Sequence, residues 1–123
     1  MSIHMYNSAT LSTANTDISG QTGTLVTLLT GGNPGTIVDE IQLSAAGVTT
    51  AGAIRMYVTG PGVTTLIAEY EVQAVTPVGV DPFRPTWKQT IRPLNLKLHT
   101  GQQLKFTTHK AETFHVTAFC TIL

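Results

Sequence analysis

The stretch AIRMYVTGPGVTTLIAEYEV, Ala53 to Val72, decides the fold. In its first half Ile54, Met56 and Val58 alternate with Arg55, Tyr57 and Thr59. In its second half Leu66, Ala68, Tyr70 and Val72 alternate with Ile67, Glu69, Glu71 and, just beyond, Gln73. A period of two places each set on one side of an extended chain, because successive Cβ atoms of a strand point to opposite faces. Gly60, Pro61 and Gly62 reverse the chain between the halves: proline fixes φ and lacks a donor, and glycine reaches positive φ without strain. The stretch reads as a β-hairpin with one apolar face.

The same grammar extends in both directions. Thr22 to Thr30 is an apolar run ended by Gly31, Gly32, Asn33, Pro34 and Gly35. Thr36 to Ser44 puts Ile37, Ile41 and Leu43 on one face, with Asp39 discordant among them. After a loop holding Pro77, Gly79, Asp81, Pro82 and Pro85, strands are expected at Thr86 to Ile91, around Leu94, Leu96 and Leu98, at Leu104 and Phe106, and from Thr113 to Ile122. These stretches are dense in Thr, Val and Ile, which lose rotamer freedom in a helix. The expected fold is all-β: an antiparallel sandwich or small jelly roll of about eight strands with an extended N-terminal arm. Its expected core is Ile54, Met56, Val58, Leu66, Tyr70, Val72, Leu104, Phe106, Phe114, Val116 and Ala118.

At 123 residues the chain suffices for one core. Residues 22–123 read as the sandwich domain and residues 1–21, rich in Ser, Thr and Asn, as an arm. The arm is either a frayed end or a segment that orders on a partner. In the second case its contact residues are Ile3, Met5, Tyr6, Leu11 and Ile18. It has neither a basic flank nor a long apolar run, so no secretory signal is expected.

Charged residues are only 11% of the chain, against a usual share of about 25%. Seven basic residues balance seven acidic ones, so no global field draws nucleic acid or an anionic membrane, and neither is an expected partner. The distribution is uneven. Up to Phe83 there is one basic residue, Arg55, against Asp17, Asp39, Glu40, Glu69, Glu71 and Asp81. From Arg84 on, Arg84, Lys88, Arg92, Lys97, Lys105 and Lys110 face Glu112 alone. Interleaved strands would absorb this asymmetry; segregation in space would create one acidic and one basic surface suited to repeated subunit contacts.

No constellation carries chemistry. His109, Glu112 and His115 span a turn at a spacing that suits neither a helical pair nor a compact zinc site, so no metal is expected. Glu69 and Glu71 lie on the face assigned to solvent. The lone Cys120 sits in an apolar run that raises a thiol pKa rather than activating it. No serine lies in a Gly-x-Ser-x-Gly elbow, and the glycine clusters lack both the P-loop lysine and a dinucleotide fingerprint. No enzyme activity and no cofactor are expected. Trp87, Tyr57 and Phe83 either form an exposed aromatic surface or, in the case of Trp87, lid the core.

The stretches Thr36-Ile-Val-Asp-Glu-Ile-Gln-Leu43, Thr50-Ala-Gly-Ala-Ile-Arg-Met-Tyr57, Val75-Thr-Pro77 and Thr108-His-Lys-Ala-Glu-Thr-Phe114 resemble small β-sandwich virion proteins of tailed bacteriophages and prophages. The resemblance spans Gly35 to Leu123 and leaves the arm outside. It implies a capsid decoration or cement protein, a structural protein that stabilises the head from its outer surface. The implied partner is the major capsid protein, the implied state a homo-oligomer (dimer or trimer), and the implied location the virion, after synthesis in the host cytoplasm. Alternatives are a tail or baseplate adaptor and a carbohydrate-binding module.

Overall fold

The computed structural model describes residues 3–123, which form two antiparallel sheets of nine strands with no helix among the described residues. The strands are β1 (Ile3–Leu11), β2 (Val26–Thr30), β3 (Thr36–Ala45), β4 (Gly52–Gly60), β5 (Val63–Val72), β6 (Lys88–Ile91), β7 (Leu96–Leu98), β8 (Gln103–Thr108) and β9 (Phe114–Ile122). One sheet runs β1-β9-β3, with β6 and β7 taking turns along the far edge of β3; the other runs β2-β8-β4-β5. The all-β sandwich is therefore present, and its ninth strand comes from the N-terminal segment.

Nine residues of β1 pair in unbroken register with β9, from Ile3 opposite Ile122 to Leu11 opposite Phe114. Leu11 is 1% exposed and belongs to the core, while Met5 and Ile3 on the same face project beyond the cover of the second sheet. After β1 the chain crosses to the outer face of the second sheet. The Asn15 amide N–H donates to Thr108 O at 2.8 Å, and the Tyr57 hydroxyl reaches the carbonyls of Asp17 and Ile18 at 3.3 and 3.2 Å. Tyr57 faces outward, as the alternation requires, yet this crossing segment buries it completely.

Asn15 organises the crossing: its side-chain amide donates to Thr22 O and Thr24 O, and its Oδ1 accepts from the Asp17 N–H. Asp17 adds a tighter knot, accepting from the N–H and hydroxyl groups of both Ser19 and Thr22 and from the Gln21 N–H. These bonds occupy Thr22 to Thr24, so β2 begins at Val26 rather than at Thr22.

Two register shifts correct the expected faces. Between Val38 and Glu40 the β3–β9 register skips a residue, so Val38, not Ile37, joins Ile41 and Leu43 inside, and the discordant Asp39 falls in the bulge. In the β4–β5 pair, Met56 opposes Ala68 while Tyr57 opposes Leu66, leaving Ile67 as the extra residue. Leu66 consequently shares the outer face of Tyr57 and drops out of the expected core. Val58 and Tyr70 are only partly buried against it, whereas Ile54, Met56, Val72, Leu104, Phe106, Phe114, Val116 and Ala118 lie fully inside. Trp87 lids the core, its ring edge-on to Phe114 with centroids 5.9 Å apart.

Candidate functional site

Two of the uncovered apolar patches flank the sheet that holds β1, β9, β3 and β6. The first lies on the outer face of the β1-β9-β3 sheet. Tyr6 and Phe119 are cross-strand partners there, with ring centroids 6.1 Å apart; Tyr6 is 68% exposed. Together with His4, Met5 and Asp39 they line a groove of about 370 Å³. The Thr121 hydroxyl has one proton, which it donates to Asp39 Oδ2 at 2.9 Å, leaving its lone pairs for His4 Nδ1 at 3.1 Å. This chain fixes the Asp39 carboxylate at the wall of the groove, where a carboxylate beside aromatic faces suits a cationic or amphipathic guest.

The second patch is the loop leading into β6, at the edge opposite β1. Val78 and Arg84 exchange two backbone hydrogen bonds of 2.9 Å, which pin the loop as a small hairpin. Val80 and the 71% exposed Phe83 project from its tip. Beneath them Val78, Phe83, Arg84 and Lys88 line a hollow of about 390 Å³. The tip holds the exposed Asp81 between its two apolar side chains, and the base is basic at Arg84 and Lys88.

Of the five expected contact residues, Ile3, Met5 and Tyr6 lie together at the free end of β1 and are exposed. Ile18 is exposed elsewhere, over the second sheet. Leu11 is enclosed by its own core and so unavailable to a partner. Phe83 is exposed, as the aromatic-surface reading allowed, whereas Phe119, Asp39 and Val80 had no place among the expected contacts. The outward position of Phe119 in an otherwise small and polar strand face was the available signal.

Arg55, Glu69, His109, Glu112 and His115 have structural partners. Arg55 pairs with Glu69 at 2.9 Å and bonds His109 Nδ1 at 3.2 Å; Glu112 Oε2 accepts from the Thr50 N–H and hydroxyl; His115 bonds Thr10. Among the described residues no three His, Cys, Asp or Glu side chains gather to hold a metal. Cys120 is buried, and burial and the Asp39 charge push its thiol pKa up. No nucleophile, base and orienting group meet within the described residues.

No family model matches the chain, and no curated protein matches it either. Among solved structures it is similar to the nucleoplasmin-type NLP-core of Drosophila, whose crystal structure is described as giving insight into pentamer formation and histone binding. The likeness covers 96% of this chain and 98% of that one, with a TM-score of 0.51 and 17% identity. At that identity the fold is what is shared.

This finding overturns the virion reading. The resemblance to phage proteins rested on strand and turn pattern over Gly35 to Leu123 alone, whereas the structural likeness covers 96% of the chain. The capsid decoration or cement role, the tail or baseplate alternative, the major capsid protein as partner, the dimer or trimer and the virion location fall with it. The carbohydrate-binding alternative also loses its platform, because Trp87 and Tyr57 are buried and Phe83 alone of that trio is exposed.

Proposed function

We propose that the chain is the self-assembling subunit of a closed homo-oligomeric ring, five-membered by its likeness to NLP-core, which serves as a binding scaffold and performs no catalytic step. The observation that carries this is the pair of uncovered apolar patches, groove and loop, flanking opposite edges of one sheet. An isolated domain of this size gains nothing from exposing Tyr6, Val80 and Phe83 together with Ile3 and Met5. Apolar patches rimmed by charge are what subunit interfaces look like before assembly. Within this reading residues 1–21 are the contact segment, with Ile3, Met5, Tyr6 and Ile18 as its contacts and Leu11 as its anchor, and residues 22–123 are the body. Light scattering on the size-fractionated full chain, over a wide concentration range, should give a mass near five subunits. A mass of one 13.1 kDa chain throughout would overturn it.

A basic protein as the scaffold's guest is a second reading, favoured by the outward carboxylates of Glu69 and Glu71 on the edge strand β5. Glu69 remains 51% exposed although it pairs with Arg55. A ring would repeat this pair in every copy, turning weak single contacts into avidity. Histone binding that weakens steeply with added salt, and is lost in the Glu69→Gln/Glu71→Gln double variant, supports the reading; no binding at low salt contradicts it.

A further inference from the structure

The two patches differ in net charge and in place, and both differences bear on what occupies them. The groove is concave, aromatic and acidic, with Tyr6, Phe119 and Asp39 as its walls. The loop projects Val80 and Phe83 above a hollow of its own; Arg84 and Lys88 line that hollow and outnumber the one acid of the loop, the exposed Asp81. The sheet order β1-β9-β3-β6 puts three strand spacings, roughly 14 Å, between the edges they flank. Along β3, Asp39 and Ser44, the partner of Lys88, lie five residues apart, roughly 17 Å at the rise of an extended strand. Within one molecule the loop and the groove are separate features that share no lining residue.

The geometry points to a second copy of this chain as the occupant of the groove: the Val80–Phe83–Arg84 loop of one subunit docks on the Tyr6–Phe119–Asp39 groove of the next. Phe83 lies against the two rings and Arg84 faces the Asp39 carboxylate. The contact rests on the ring assembly proposed above and names its two halves. Because donor and acceptor surfaces are different patches at opposite edges, the interface is heterologous, and repetition of one such contact closes into a ring when its rotation divides the circle. The backbone pairing of Val78 with Arg84 holds the loop in shape beforehand, so little ordering opposes docking. The net charges of the two patches, acidic at Asp39 and basic where Arg84 and Lys88 outnumber Asp81, favour the head-to-tail arrangement.

Two variants separate the halves. Tyr6→Asp spoils the groove and Phe83→Asp spoils the loop; both side chains are exposed, and Tyr6→Ser and Arg84→Glu serve as milder versions should either fail to fold. Each variant alone should lose the wild-type oligomer, with association weakened about thirtyfold or more, as for central interface residues. Mixed in equal amounts, they should give one-to-one dimers and nothing larger, because each retains one intact half. Sedimentation velocity reads all three samples. A wild-type oligomer that persists in either single variant, or a mixture that gives no dimers, overturns the docking while leaving ring assembly standing. A monomeric wild type overturns both.

Discussion

A Cβ atom placed on Gly20 would lie 2.7 Å from Cε2 of Tyr57. Gly20 also has φ +74°, where an L side chain is strained. The crossing segment therefore seats on the aromatic ring only because position 20 has no side chain. Gly20→Ala should cost about 1–3 kcal/mol of stability, combining backbone strain with the displaced ring. Chemical denaturation that gives the same midpoint for variant and wild type would show that the segment does not rest on Tyr57.

Leu11 and Ile3 sit on the same face of β1 with opposite fates. Leu11 is sealed in the core; Ile3 projects past the second sheet. Leu11→Ala should destabilise the chain by about 2–5 kcal/mol through lost burial and a cavity. Ile3→Ala should leave the thermal midpoint of the dissociated subunit nearly unchanged. Equal effects of the two substitutions would contradict the packing of β1.

The hairpin from Ala53 to Val72 and the closing strand were legible because strict alternation survives wherever pairing is regular. The bulges at Asp39 and Ile67 were not legible. One inserted residue turns every following side chain to the other face, and nothing local in the sequence marks it except the discordant Asp39. β1 was hidden by composition: Ile3, Met5, Ala9 and Leu11 keep a period of two, but Ser, Thr and Asn between them suggest a loose end. The groove was invisible for a further reason, since Tyr6 and Phe119 come from the two ends of the chain and meet only through the β1–β9 register. The burial of Tyr57 likewise depends on a segment that the sequence offers no reason to place over it.

Hydrogen bonds from the Ser19 and Thr22 hydroxyls, and then from their N–H groups, hold the Asp17 carboxyl far below the usual carboxylate range. A depressed folded-state pKa means that the contribution is fully present above the unfolded value of about 3.9 and is lost as pH falls towards the folded value. Hydrogen exchange at the Gln21 and Thr22 amides should thus remain slow at neutral pH and into mild acid, and quicken only below the ordinary carboxylate range. In Asp17→Ala, which leaves no side-chain acceptor, the Thr22 amide should exchange fast at every pH. Protection that fades near neutrality would assign the bonds to another group.

Cys120 is 3% exposed, and both burial and the nearby Asp39 charge raise its thiol pKa. A thiol reagent at neutral pH should therefore label the folded chain far more slowly than the denatured chain. Asp39→Asn removes the charge without opening the strand, so it should change the folded rate much less than denaturation does. Prompt labelling of native protein would place the thiol at the surface.

Closure of this sandwich into a ring through two different patches is decided by counting subunits. Native mass spectrometry of the full chain should give one dominant species of five 13.1 kDa chains, lost when Phe83→Asp removes an apolar side chain from the loop's tip. A single chain as the only species at every concentration would contradict it.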